Sequence, residues 1–150
     1  RQGDVGPTAD ASVVLNGGKH SDVLKGGSGN DHLNGRLGLD KLTGGGGSDV
    51  FAFTTKLGPA NVDKVLDFDA AFDTLRLSKA VFKTLHKGPL DKGAFRIGAQ
   101  ALDDDDRILY NIKTGVLSYD ADGDGTAFTA IKFAQLKAKT ALSADDFLIG

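Results

Sequence analysis

Between Asn16 and Phe53 the chain reads GGKHSDVLK, GGSGNDHLN, GRLGLDKLT, GGGGSDVFA (residues 17–52), one nine-residue unit written four times in strict register. Every unit has Gly at position one (Gly17, Gly26, Gly35, Gly44), Asp at position six (Asp22, Asp31, Asp40, Asp49) and a large apolar residue at position eight (Leu24, Leu33, Leu42, Phe51). A fixed period of this length is the signature of a solenoid, in which each unit is too small to bury its own apolar face and stacks on its neighbours. The apolar residue follows the turn in a short strand and points inward, so Leu24, Leu33, Leu42 and Phe51 predict a core column. Leu15, nine residues before Leu24, extends it.

The glycines allow positive φ and bring backbone carbonyls inward, and the aspartates supply charged oxygens. Calcium is a hard cation that takes about six to eight oxygens at roughly 2.3–2.6 Å, so one short turn cannot complete its shell but two stacked turns can. Metal-free Gly/Asp turns are the alternative, since both residues favour turns. A plain turn has no need of a carboxylate every ninth residue, however, and stacked carboxylates without a cation repel one another. All 20 acidic residues are Asp and none is Glu, a bias that suits short, rigid turn ligands.

These units resemble the G-G-x-G-x-D-x-U-x nonapeptide of the RTX (repeats-in-toxin) family, a calcium-binding β-helix repeat. The resemblance implies a parallel β-roll in which two units make one coil, so that turns 18 residues apart share an edge and Asp22 pairs with Asp40, Asp31 with Asp49. It also implies carbonyl ligands at positions one, two and four: Gly17, Gly18 and His20, then Gly26, Gly27 and Gly29, then Gly35, Arg36 and Gly38, then Gly44, Gly45 and Gly47. His20 stands where the pattern has a position-four Gly and Arg36 where it has a position-two Gly. Non-Gly residues resist positive φ, so turns one and three are expected to bind less well, and the Asp31/Asp49 edge more tightly.

With 150 residues the chain suits one compact unit with a real core. It has no Cys, which removes disulfides and thiolate sites and leaves calcium as the staple, as suits an extracellular protein. Its net charge of −2, with 18 scattered Lys and Arg, gives no footprint for nucleic acid. No apolar run approaches the roughly 20 residues of a membrane span, and no signal peptide opens the chain. Because it begins at Arg1 and contains no Met, it reads as part of a longer protein.

From Val50 onward the nine-residue period stops and the pattern is mostly β. Strands are expected at Val50–Thr54, Lys64–Phe68, Thr74–Leu77, Ala94–Ile97, Arg107–Ile112, Val116–Tyr119, Phe128–Phe133 and Phe147–Ile149. A hairpin is expected over Asn111–Gly115, and helical turns at Ser78–Leu85 and Ser143–Asp146 with Ser143 as cap. An open solenoid end needs a cap, which this region supplies. DVFAF, DKVLDFDAAFDTLRLS, ILYNIKTGVLSYDADGDG and the final DFLIG resemble the C-terminal domain of serralysin-type secreted metalloproteases. The resemblance implies an all-β fold: a parallel β-roll over residues 1–53, capped by a β-sandwich-like region over 54–150, the two forming one continuous unit.

The same resemblance implies that Asp63 helps complete the last calcium site, a solvated strand-edge Asp being the alternative, while Gly58 and Pro59 occupy the place of a further loop Asp. Asp120, Asp122 and Asp124 with Gly125 spell half of an EF-hand loop, but position twelve is Ile131 rather than Glu, so a tight Asp/Gly turn competes with a second metal site. Asp103–Asp106 reads as a solvated charge run. Asp145-Asp146-Phe147-Leu148-Ile149 resembles the ending of proteins exported by the type I secretion apparatus, although Gly150 follows it.

The sequence has no H-E-x-x-H, no G-x-S-x-G and no P-loop, and His20, His32 and His86 lack zinc-ligand spacing, so the residues give no catalytic role. The expected function is a secreted calcium-binding module that folds on Ca2+ outside the cell and supports export of a larger protein. A module that binds polysaccharide or a host surface ligand, or the non-catalytic end of a serralysin-like protease, are the alternatives.

Overall fold

Each repeat turns for six residues and extends for three. In the computed structural model, which describes residues 12–98, 100–125 and 129–150, the extended triplets are the strands β2 (Val23–Lys25), β3 (His32–Asn34), β4 (Lys41–Thr43) and β5 (Val50–Phe53). The lead-in contributes β1 (Val14–Asn16). Three residues make no stable strand alone, so successive strands are dealt alternately into two sheets, each pairing in parallel with the strand one coil away. Position eight faces inward in both sheets. In the first, Leu15, Leu33 and Phe51 stand side by side; in the second, Leu24 and Leu42 do. Leu33, Leu42 and Phe51 are fully buried, while Leu15 and Leu24, in the first described coil, are only partly so.

The roll does not end where the period does. β6 (Asp63–Val65) pairs in parallel with β4 and puts Val65 beside Leu42; β7 (Thr74–Leu77) pairs in parallel with β5 and puts Leu75 beside Phe51. Residues 53–57 and the single residue Asp67 are inserts that shift the sequence register while the spatial stacking continues.

The remaining strands are β8 (Gly88–Pro89), β9 (Phe95–Ile97), β10 (Ile108–Asn111), β11 (Val116–Tyr119), β12 (Ile131–Gln135) and β13 (Phe147–Ile149). They extend the same two sheets, ordered β1-β3-β5-β7-β13-β8 and β2-β4-β6-β12-β11-β10-β9. The cap is therefore sandwich-like but shares its sheets with the roll. β13, the C-terminal strand, lies inside the first sheet, parallel to β7 and antiparallel to β8, and completes the inward row with Phe147 beside Leu75. Phe82, Phe133 and Tyr119 fill the space between the sheets, with ring centroids 5.0 Å (Phe82–Phe133) and 5.1 Å (Phe82–Tyr119) apart.

Thr74–Leu77, Val116–Tyr119 and Phe147–Ile149 are strands with the expected bounds. The hairpin turns at Gly115 (φ 83°), and Ser143 caps a short 3-10 turn at Ala144–Asp146 with a complete capping box. Lys64–Phe68 is shorter than expected, because Asp67 leaves the strand to bond the glycines of turn four. The expected Phe128–Phe133 strand lies instead at Ile131–Gln135, and Phe128 falls outside the described residues. Ser78–Leu85 forms short turns of the kind expected, with Val81 and Phe82 donating to the Ser78 carbonyl at 3.0 and 2.8 Å and Leu85 to the Phe82 carbonyl at 3.1 Å. Among the described residues no helix is long and apolar enough to cross a membrane.

Candidate metal centre

The position-six aspartates form two ladders, one along each edge of the roll. Along one edge the Asp22 N–H donates to Asp40 Oδ1 at 2.7 Å and the Asp40 N–H to Asp63 Oδ1 at 3.1 Å. Along the other, Val13 donates to Asp31 at 3.0 Å, Asp31 to Asp49 at 2.9 Å, and Asp49 to Asp73 at 2.9 Å. The two pairs expected from the 18-residue spacing are thus brought together, and Asp63 joins the first ladder as a buried residue rather than a solvated one. Val13 occupies the ladder position of a repeat that lacks the carboxylate.

The second carboxylate oxygen divides the turns into two kinds. In turns one and two, Oδ2 of Asp22 and Asp31 accepts the position-two N–H of its own turn, Gly18 and Gly27, each at 2.8 Å. In turns three and four that N–H goes elsewhere: Arg36 donates to Asn34 Oδ1 at 3.0 Å and Gly45 to Asp67 Oδ2 at 2.8 Å. Oδ2 of Asp40 and of Asp49 is left buried with no hydrogen-bond partner. The backbone follows the same division. Positions two and four are left-handed in turn three (Arg36 φ 63°, Gly38 φ 105°) and in turn four (Gly45 φ 88°, Gly47 φ 78°), and no residue of turns one and two has positive φ. Arg36 thus adopts the conformation that the sequence reading expected it to resist. The oxygens free for a cation lie one on each edge, in the two turns nearest the cap, and not along the Asp31/Asp49 edge alone.

Stacking explains the glycines. A side chain at Gly38 or Gly47 would collide with the carbonyl oxygen of His20 or Gly29 in the coil before it, which is how position-four carbonyls come to face the gap between turns. At position one, a methyl on Gly17, Gly26, Gly35 or Gly44 would overlap the aspartate carboxylate of its own turn. His20 is exposed and presents only its carbonyl to turn three, so a side chain at that position costs nothing in packing.

Burial is the main cause of the shifted acidities. It pushes Asp49 up to about 6, with Asp73, Asp31 and Asp67 adding repulsion, and Asp63 up to about 8, with Asp40 beside it; Asp40 and Asp73 are also raised. Buried, unpartnered carboxylate oxygens facing inward carbonyls are costly unless a cation joins them. Ca2+ fits this all-oxygen donor set: Asp40 and Asp49, backed by Asp22, Asp31 and Asp63, with the carbonyls of the Gly, His20 and Arg36 positions named above.

Sequence reasoning missed Asn61, which accepts the Gly38 N–H at 2.8 Å, and Asp67 and Asp73. The signal was present: residues 68–76 repeat the nonapeptide geometry, with Asp73 at position six accepting the position-two N–H of Asp69 at 2.8 Å and Leu75 at position eight. The Asp120–Asp124 loop is a tight turn pinned to the acidic run, with the Asp124 N–H donating to the Asp103 carbonyl at 2.9 Å. The Arg107 guanidinium donates to the Asp104 and Asp106 carbonyls at 2.6 and 3.0 Å. Asp103, Asp104 and Asp105 are exposed and bring carboxylate oxygens close together, whereas Asp106 is buried and pairs with Arg96 at 2.5 Å. His20 and His86 are exposed, and His32 is half-buried on the outer side of β3.

Residues 16–51 match the family model of the RTX calcium-binding nonapeptide repeat, in four copies. No curated protein matches the chain. The solution structure of the AlgE6R3 subunit from the Azotobacter vinelandii mannuronan C5-epimerase is similar, with TM-score 0.50 and 22% identity, over 97% of this chain and 86% of that chain. At that identity the likeness concerns the fold alone.

Proposed function

We propose that this chain, a β-roll whose residues 16–51 are RTX calcium-binding repeats, folds when calcium binds outside the cell and thereby supports type I secretion and folding of a larger extracellular protein. The observation that carries this reading is the pair of buried, unpartnered oxygens on Asp40 and Asp49. They make the metal-free roll costly to close, and a cation that binds only the folded state repays that cost by RT ln(1 + [L]/Kd), about 2.7 kcal/mol per site at a hundredfold excess. Low calcium then favours the open chain that export requires, and high calcium favours the closed one. β13 supports the secretion part, since the segment that resembles an export signal sits between β7 and β8 once folded and is legible to the apparatus only before folding.

Small-angle scattering of the chain with EDTA and then with excess calcium tests the proposal. Expected is a contraction from a radius of gyration approaching about 40 Å to about 15 Å, the unfolded and folded values for 150 residues. A radius near 15 Å in both conditions would sink it.

A second reading, an extracellular module for an acidic polysaccharide, is favoured by one feature of the second sheet. Lys41 and Lys64 stand side by side on its outer face with Lys25 nearby, all exposed, an arrangement of like charges that is unfavourable unless an anion lies across it. Loss of polyuronate binding in Lys41→Glu with Lys64→Glu is the expected result; unchanged or absent wild-type binding removes this reading.

A further inference from the structure

Asn34 and Gly35 join repeat two to repeat three, and Asn16 and Gly17 join the lead-in to repeat one; the other asparagines, Asn30, Asn61 and Asn111, precede Asp, Val and Ile. In an Asn-Gly pair the glycine nitrogen, with no side chain beside it, can reach the asparagine carboxamide carbon. The N–Cγ bond forms, the nitrogen's proton leaves with the side-chain amide as ammonia, and the resulting cyclic imide takes up water to give aspartate or isoaspartate. Ring closure requires rotation about the Asn side chain and backbone. The roll opposes both at Asn34. This residue is 8% exposed, its Oδ1 accepts the Arg36 N–H at 3.0 Å, and its Nδ2, the leaving nitrogen, donates to Thr54 Oγ1 at 2.9 Å. Its backbone ends β3, paired with Asn16 on one side and Ala52 on the other, and its carbonyl accepts the Gly17 N–H at 2.8 Å. At the second pair the Asn16 side chain is exposed, and the engaged group is the nucleophile, since the Gly17 N–H is the donor of that same bond.

We infer that Asn34-Gly35 is a spontaneous deamidation site that the open chain exposes and the calcium-closed roll shuts, so that the calcium-free chain has a limited time in which it can still fold. The inference rests on the calcium-folding reading above and adds a chemical clock to it. Its consequence falls on turn three. Asn34 holds the Arg36 N–H away from Asp40 and so leaves Asp40 Oδ2 for the cation. Isoaspartate at position 34 routes the chain through the side-chain carbons and lengthens the backbone by one carbon within β3, where pairing on both sides fixes the register. The same change at Asn16 falls at the end of β1, the first strand of its sheet, where the roll bears it more easily. Asn16 is therefore the internal control.

The test is peptide mapping by mass spectrometry of the unmodified chain after equal incubation in EDTA, in excess calcium and in urea, with circular dichroism of each sample. Expected is conversion of Asn34 in EDTA at the urea rate, and conversion in calcium slower by about tenfold or more, since ring closure must then wait for the strand to open. Asn16 is expected to be slowed less. Equal Asn34 rates in calcium and in urea, with a β signal that still depends on calcium, overturn the clock alone. Asn34 equally slow in EDTA and in calcium, with the full β signal in both, overturns calcium-driven folding and the clock with it. The EDTA-aged chain is then given calcium and digested briefly with a protease. Isoaspartate at position 34 is expected in the digested fraction and isoaspartate at position 16 in both; an equal share of isoaspartate 34 in the resistant and digested fractions overturns the limit on folding.

Discussion

The Arg36 N–H is held by the Asn34 side chain, two residues back, and this bond keeps it from the Asp40 carboxylate. Arg36 holds its left-handed backbone (φ 63°) at a cost of about 1–2 kcal/mol for an L-residue. Arg36→Gly removes that strain, and the larger entropy of Gly in the unfolded chain offsets part of the gain. The expected net effect is about 0.5–1 kcal/mol of extra stability, seen as a lower calcium midpoint for folding. A higher midpoint would mean that the Arg side chain itself supports the turn.

Asp49→Asn and Asp22→Asn should differ although both sit at position six. Asp49 has a free buried oxygen, whereas Asp22 has already given its Oδ2 to Gly18. Asp49→Asn is expected to raise the calcium midpoint about tenfold or more, the scale on which ligand charge tunes calcium sites, and to stabilise the metal-free fold by deleting a buried charge. Asp22→Asn should do less of both. Calcium titrations, with the residual β signal in EDTA measured beside them, report the two effects.

The metal-free chain should be more stable in mild acid than at slightly alkaline pH. Asp49 and Asp63 have folded values of about 6 and about 8, above the unfolded value of 3.8. Between pH 4 and those values the native state keeps protons that the unfolded state has released, so stability falls as pH rises, by at most about 1.4 kcal/mol per pH unit for each group. The groups facing them, Asp31, Asp67 and Asp73 around Asp49 and Asp40 beside Asp63, are all acidic and reinforce the trend. Calcium competes with those protons, so its stabilising effect should grow from pH 5 to pH 8. The residual β signal in EDTA at the two pH values, and the calcium midpoint for folding at each, check both signs.

Phe147→Ala should uncouple cap from roll. Phe147 ends the inward row that runs through Leu33, Phe51 and Leu75, and its ring lies 5.5 Å from Phe95. Truncating a buried Phe costs about 3–5 kcal/mol, more than one calcium ion returns at a hundredfold excess. Folding is therefore expected only at much higher calcium, or not at all. A wild-type midpoint would show that the roll folds without its cap.

The repeat region was legible because one period fixed three things together: the turn, the ligand and the inward residue. Leu33, Leu42 and Phe51 are buried and the four aspartates stack at 18-residue spacing as the register requires. The continuation of the roll was hidden by two small inserts. Once the glycines are gone, nothing local marks Asp63 and Asp73 as position-six residues except the apolar residue two places on, Val65 and Leu75. The division of the turns into two conformations was not legible at all, because it depends on Asn34 and Asp67 capturing the N–H groups of Arg36 and Gly45, and Asp67 reaches Gly45 from 22 residues away.

The most direct measurement is far-UV circular dichroism of the EDTA-stripped chain during a calcium titration, with magnesium as control. A cooperative gain of β signal with calcium alone is expected, since magnesium demands a smaller octahedral shell and dehydrates reluctantly. A stripped chain that already shows the full β signal, unchanged by calcium, would contradict the folding switch.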